Sequence, residues 1–237
     1  MLSHSPSIVT DGLVLCLDAA NPRSYGGSGT NWGDLSGNGN NGTLVNGPLY
    51  DVGNFGRFSV DPSNDYISVS NMPTGNNWTI SLWFLIDNVN SFAFTGHRTF
   101  AATDRFRFQW DDNGSGTSAR ILVDYVSGGS QTRFSNDISP EELCNKWHMI
   151  SLVSDDPSKK CFLDFTEGDT PSSVTKQFST NGNMRIGIDG ISGIGGTDIF
   201  NHDGGDCYFS IISVYDRALS PQEIEQNFKA TRGRFGI

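Results

Sequence analysis

A chain of 237 residues is long enough to bury one sizeable core, and all-β sandwiches of this length fold as single domains. Its formal net charge of −10 repels polyanions, which excludes nucleic acid as an expected partner, and no apolar run approaches the ~18 residues of a membrane span. The acid is lopsided, with 21 Asp against 5 Glu, and Asp with Asn, Gly and Ser builds turns and loop ligands rather than long helices.

The first residues, Met1 to Ser7, carry neither a basic patch nor an apolar signal core, so the chain is expected to be soluble and unprocessed, with residues 1–10 as an N-terminal arm. From Leu13 onward, short β-branched and aromatic runs alternate with Gly, Asn, Asp and Pro, the pattern of a sandwich or barrel. Leu13 to Leu17, Arg57 to Val60 and Tyr66 to Val69 are the first three predicted strands. Trp78 to Ile86 is the best specified. Trp78, Ile80, Leu82, Phe84 and Ile86 share one face, and Trp83 and Leu85 on the other predict cover on both sides of its later half. Phe106, Phe108 and Trp110 alternate with Arg105, Arg107 and Gln109 in a half-exposed strand. Ile121 to Val126, Trp147 to Val153, Cys161 to Phe165, Ile186 with Ile188, and Tyr208 to Tyr215 complete the series. One helix follows: Ser220 is its N-cap, Pro221 its first residue, Glu223 completes a capping box, and Leu219 with Ile224 forms a hydrophobic staple. Residues 229–237 are basic and have no evident place in the core.

The four cysteines are widely spaced, with no C-x-x-C pair, and Cys16, Cys161 and Cys207 lie in apolar runs. Buried free thiols are expected, as in a protein folded in a reducing cytoplasm. Glu167-Gly168-Asp169 is the nearest approach to the same-face carboxylates of a retaining glycosidase, but the second Glu is missing and Gly168 and Pro171 are turn residues. Glu141-Glu142 after Ser139-Pro140 reads as the first turn of a short helix. The histidines His4, His97, His148 and His202 follow no ligand spacing and there is no nucleophile elbow, so no enzyme is expected.

Five stretches, in order, carry a resemblance: Asp34-Leu35-Ser36-Gly37-Asn38-Gly39-Asn40-Asn41-Gly42-Thr43, Asp61-Pro62-Ser63-Asn64-Asp65-Tyr66-Ile67, Trp78-Thr79-Ile80-Ser81-Leu82-Trp83-Phe84, Lys146-Trp147-His148 and Tyr215-Asp216-Arg217-Ala218-Leu219-Ser220. Together they resemble the LamG-like, concanavalin A-like lectin/glucanase superfamily, in the form carried on virion proteins of tailed bacteriophages, over about residues 11–228. The resemblance implies an all-β fold, a two-sheet antiparallel jelly-roll sandwich with the one short C-terminal helix. It also implies a recognition or assembly role, and makes Trp147-His148 a structural pair. The last strand is more apolar than in phage relatives, with Cys207, Ile211 and Ile212, which predicts that something covers it.

Calcium sites are common in this family, and loops rich in Asp, Asn and Gly can wrap that cation. Asp34, Asn64, Asp65 and Asp206 are the candidate ligands for one structural Ca2+; the alternative is that they form Asx turns. Trp32 beside Asn31 and Asp34, and Trp110 beside Asp111 and Asp112, are the candidate glycan-stacking aromatics, with core packing as the alternative. Lys229, Arg232 and Arg234 are the candidate partner-binding cations, reaching a neighbouring copy's acidic surface, unless the tail is solvated. The leading expectation is therefore a virion structural or surface-decorating protein whose partners are other virion proteins or copies of itself. A tail-fibre lectin binding a host-surface glycan is the alternative, and a polysaccharide-degrading enzyme a remote one.

Overall fold

The computed structural model describes residues 6–53, 55–60, 65–70, 75–87, 92–98, 105–111, 120–126, 138–156, 158–168, 184–187 and 207–237; for 92–98, 105–111, 120–126 and 140 it describes the backbone. The first strands are β1 (Leu13–Asp18), β2 (Asn31–Trp32), β3 (Gly42–Val45), β4 (Leu49–Asp51), β5 (Arg57–Val60), β6 (Tyr66–Val69) and β7 (Trp78–Ile86). Then come β8 (Phe92–Arg98), β9 (Arg105–Asp111), β10 (Arg120–Val126), the helix α1 (Pro140–Leu143), β11 (His148–Asp155), β12 (Ser158–Leu163), β13 (Thr166–Glu167), β14 (Met184–Ile186) and β15 (Cys207–Tyr215). The chain closes with α2 (Pro221–Thr231) and a 3-10 turn, Arg232–Phe235.

Every described pairing is antiparallel. Sheet A runs β13-β12-β11-β7-β15-β5-β4, with β1 also paired to β15, and sheet B runs β10-β9-β8-β14-β6-β3-β2. The expected all-β sandwich is present, and the strand that sequence reading specified best lies at the centre of sheet A. β15 pairs with β7 along one edge and divides the other, Cys207 to Phe209 against β5 and Ile211 to Tyr215 against β1. The switch falls at Ser210, whose hydroxyl donates to the Gly56 carbonyl at 2.7 Å while its own carbonyl accepts from Ala19 N at 2.9 Å.

Between the sheets, Trp78, Ile80, Leu82, Phe84 and Ile86 of β7 meet Ile67 and Val69 of β6 and Met184 and Ile186 of β14, all buried. The sheets approach closely at Gly187: a Cβ there would lie 2.4 Å from Val60 Cγ1, and its φ of +97° favours glycine independently.

The other face of sheet A is covered as well, by the C-terminal segment. Trp83, Met149, Phe162, Ile211 and Tyr215 form a second apolar cluster with Leu219, Ile224, Phe228 and Phe235. α2 begins where its capping box requires: Ser220 Oγ accepts from Glu223 N at 3.3 Å and the Glu223 carboxylate accepts from Ser220 N at 2.8 Å. Residues 229–237 do not form the detached basic tail expected from their charge. Phe235 is buried, its ring 4.2 Å from that of Trp83 and 4.7 Å from that of Trp147. Arg234 grips Asp18 through two nitrogens at 2.6 and 2.7 Å. Burying a phenylalanine stabilises by roughly 1.5–3 kcal/mol, and the bidentate ion pair gives the segment a second anchor.

The N-terminal residues join this layer from Ser7 on. Gln226 Nε2 donates to the Ser7 carbonyl at 2.8 Å, Val9 N donates to Asn227 Oδ1 at 2.8 Å, and Tyr215 OH donates to the Val9 carbonyl at 3.1 Å. No described helix is long and apolar enough to cross a membrane.

Candidate recognition face

The residues singled out in the Asp34 loop are structural. One edge of β1 pairs with β15, and the segment 34–40 satisfies the other. Asp34 Oδ1 accepts from Cys16 N at 2.8 Å and Ser36 N at 2.9 Å, while Oδ2 accepts from Ser36 Oγ at 2.7 Å and Asn40 N at 3.1 Å. Asn40 Nδ2 donates to the Val14 carbonyl at 2.8 Å, and the single Ser36 hydroxyl proton, 3.0 Å from that carbonyl at its oxygen, is shared between it and Asp34 Oδ2. The loop thus caps an open strand edge with side-chain bonds in place of a neighbouring strand. Burial raises the Asp34 pKa, but the bonds from Cys16, Ser36 and Asn40 outweigh it and hold the carboxyl below its ordinary value. With both oxygens filled by donors, Asp34 does not fit a calcium ligand, and the Asx-turn alternative is the one realised. Among the described residues no group of three acidic, His or Cys side chains is placed to hold a metal. Asp65 is buried at the start of β6; Asn64 and Asp206 lie outside the described residues.

Trp32 is not an exposed sugar platform. It is 0% exposed, 4.7 Å from the Phe58 ring, and its indole nitrogen has no hydrogen-bond partner among the described residues. Burial against Phe58 wins because β2 is an edge strand whose inward side has an aromatic cluster to close. Trp110 belongs to β9, paired through Ile121 to β10, and its side chain lies outside the description. The three candidate partner-binding cations each make a contact within the domain. Lys229 pairs with Glu225 at 2.7 Å one turn earlier, and Arg234 with Asp18. Arg232 lies over Phe228, 6.0 Å from the ring centroid.

Several described glutamates are engaged in the same way, while Asp169 lies outside the described residues. Glu167 holds Lys160 at 3.0 Å, Glu142 accepts from Ser139, and Glu223 takes Arg217 at 2.6 Å. His148 bridges Asp164 Oδ2 at 3.1 Å and the Glu142 carbonyl at 3.2 Å, the packed role implied for the Trp-His pair. Cys16, Cys144, Cys161 and Cys207 are free, and burial pushes the Cys16 and Cys161 thiols up to about 11 and about 12, far from a reactive thiolate at neutral pH.

What remains is the outer face of sheet B, over which no described element packs. Ile67, Val69, Met184 and Ile186 point inward, so by strand alternation Tyr66, Ser68 and Arg185 point out, and the register adds Thr43 and Val45 from β3. Thr43, Ser68 and Arg185 stand directly across from one another, with Val45 opposite Tyr66. The Arg185 guanidinium lies 4.8 Å from the Tyr66 ring centroid. Thr43 is exposed and the others are half-buried. An aromatic ring, hydroxyls and a cation on one face are groups that sugars can contact. Sequence reading missed this row because Tyr66 and Ser68 occur in a short run whose outward side shows only once β3 and β14 are known to flank it.

A laminin G-type family model, described as the concanavalin A-like lectin/glucanases superfamily, matches residues 61–225. None of the curated proteins matches. Among solved structures, the binding domain of Paraclostridial Mosquitocidal Protein 1 is similar over 92% of this chain and 52% of its own, at 15% identity and a TM-score of 0.68. The botulinum neurotoxin serotype D binding domain is similar over 94% and 53%, at 13% identity and a TM-score of 0.67. The binding domain of botulinum neurotoxin DC, solved in complex with SialylT, is similar over 93% and 52%, at 10% identity and a TM-score of 0.68. At these identities the likeness is one of fold, and the chain spans about half the length of each. On the family match, which covers more than half of its residues, the chain belongs to the concanavalin A-like lectin/glucanase superfamily.

Proposed function

We propose that this domain is a non-catalytic recognition module that binds a cell-surface glycan through the outer face of sheet B, around Tyr66, Ser68, Thr43 and Arg185. The observation that carries the reading is the asymmetry of the sandwich. The outer face of sheet A is sealed by α2 and the 3-10 turn, while sheet B presents a polar, aromatic row. The fold agrees with a binding role, and so does the engagement of described carboxylates in ion pairs and caps. In the tailed-phage setting that the sequence motifs resemble, such a module serves in host attachment. The test is a glycan array probed with the purified chain, followed by calorimetry on any hit. Saturable binding that Tyr66→Ala abolishes while the melting temperature holds is the expected result; an array without signal overturns the reading.

A second reading, a virion structural or decorating protein assembled from copies, draws on a different observation. Strand β4 ends sheet A, and Leu49 and Val52 beside it are 71% and 76% exposed. Light scattering of wild type against Val52→Lys distinguishes the two: a multimer lost in the variant favours assembly, and a monomer throughout removes it. Calcium enters the proposal only through Asn64, Asp65 and Asp206, since Asp34 is saturated with donors; a melting temperature identical with calcium and with chelator removes the ion.

A further inference from the structure

The polar face of sheet B contains a cation whose situation differs from that of Arg57, Lys159 and Lys160, the other strand cations with described side chains. Arg57 of β5 pairs with Asp51 at 3.4 Å, Lys159 of β12 with Asp156 at 3.6 Å, and Lys160 of β12 with Glu167 at 3.0 Å. Arg185 of β14 has no carboxylate and no hydrogen bond among the described residues; its one contact of this kind is the Tyr66 ring. In a protein with ten more acidic than basic charges, an arginine on a strand has many candidate partners, and this one is held against an aromatic face instead.

The described neighbours of the half-buried Arg185 side chain bear hydroxyls. On one side, Ser68 and Thr43 follow in register with side-chain hydroxyls that bond to no described residue. On the other, the position opposite Arg185 on β8 is Gly96. A cation held against a ring and flanked by hydroxyls has lost part of its rotamer freedom before any ligand arrives, and its planar fork matches a carboxylate through two parallel N–H···O bonds.

We infer that Arg185 is the specificity-determining residue of the glycan face and that it selects a saccharide bearing a single carboxylate, a sialic or uronic acid, over its neutral counterpart. The inference rests on the glycan-binding reading above. The carboxylate takes the Arg185 fork, and Ser68, Thr43 and the Tyr66 hydroxyl meet the sugar hydroxyls. The overall charge of −10 restricts the ligand further: the average field repels a polyanion at long range, whereas one carboxylate is held by one short-range contact. Densely sulfated or polyuronate chains are therefore disfavoured, and binding of the monoacid varies only weakly with salt.

The experiment titrates wild type, Arg185→Gln and Arg185→Lys with sialyllactose, lactose, a glucuronate-terminated disaccharide with its neutral analogue, and heparin, with the melting temperature of each variant measured alongside. The expected result is that wild type binds at least one acidic sugar about tenfold or more tightly than its neutral analogue, the scale of a charge-assisted bond, and that heparin does not compete. Arg185→Gln should erase the preference at unchanged melting temperature, and Arg185→Lys should restore part of it, which a merely structural role would not do. The sialylated and glucuronate arms identify which acid is taken. Equal affinity for acidic and neutral sugars overturns the inference and leaves the glycan reading standing. A preference that survives in Arg185→Gln removes Arg185 from it. Binding of none of the sugars, neutral ones included, overturns the glycan reading as well.

Discussion

The two outer faces of this sandwich are built from similar strands and end differently. On sheet A, Trp83, Ile211 and Phe162 put large apolar surface outward, and α2, the 3-10 turn and the N-terminal segment from Ser7 cover it. On sheet B the described outward residues include Asn31, Thr43, Val45, Tyr66, Ser68 and Arg185, and no described element lies over them. A face is sealed where leaving it open would cost apolar hydration and stays open where its groups are content in water. The same contrast divides stability from recognition: substitutions on the sealed side should destabilise the fold, and substitutions on the open side should change binding.

The largest effect is expected at the centre of the sealed face. Trp83 is 1% exposed, stacks on Phe235 and Phe228, and donates its indole N–H to Thr231 Oγ1 at 2.9 Å. Trp83→Ala should cost about 3–5 kcal/mol in urea denaturation. A loss under about 1 kcal/mol would mean that the C-terminal layer contributes little. Next is the close approach between the sheets. Gly187→Ala would put a methyl 2.4 Å from Val60 at a φ of +97°, and should cost about 2 kcal/mol or more by the same assay.

A smaller effect comes from the cap that starts the covering helix. The bond from Arg217, reinforced by those from Ser220, holds the Glu223 carboxyl at about 2, below its ordinary value of 4.5. A depressed carboxyl stabilises the fold fully above the unfolded pKa and loses that contribution as pH falls through 4.5 toward 2. Because the pair is partly solvated, the contribution is about 1 kcal/mol rather than the full linkage value. Glu223→Gln should flatten the decline in melting temperature over that window. An unchanged acid profile would remove the pair from the account. The smallest effect is expected on the open face, where Thr43→Ala, Ser68→Ala and Arg185→Gln should each change stability by less than about 0.5 kcal/mol. A large loss from any of them would show that something covers sheet B and would undo the contrast.

One buried cation belongs to neither face. Lys159, 1% exposed, turns toward the interior of the sandwich at the end of β12, where burial lowers its pKa against the opposing pull of Asp156 and Asp155. Its nitrogen lies 3.6 Å from Asp156 Oδ1, beyond hydrogen-bonding distance, and Asn76 Nδ2 donates to the other oxygen of Asp156 at 3.0 Å. A charge buried with so loose a partner costs stability rather than supplying it.

Much of this architecture is already present in local pattern. The alternation in Trp78 to Ile86 defines a strand covered on both sides, and the Ser220-Pro221-Glu223 cap starts the helix at its observed residue, because periodicity and capping depend on neighbours in sequence. The apolar last strand likewise implied a cover. Residues read singly for their chemistry fared worse. Asp34, a loop acid suited to calcium, holds the free edge of β1, and Trp32, an aromatic beside polar residues, is core. Arg234 and Lys229, cations in a basic tail, find Asp18 and Glu225 within the same domain.

The sequence by itself therefore determined the class of fold, the central strand, the capped helix and the need for a layer over the last strand. Only the tertiary structure decided that residues 229–237 supply part of that layer and that Thr43, Ser68 and Arg185 form one row. The reason is physical. Strand and helix signals arise over a few residues, whereas a side chain's role depends on which distant groups reach it first, and Asp18 and Arg234 are 216 positions apart. Register then does for the open face what packing does for the sealed one, since three residues of no individual distinction come into one row only when β3, β6 and β14 align.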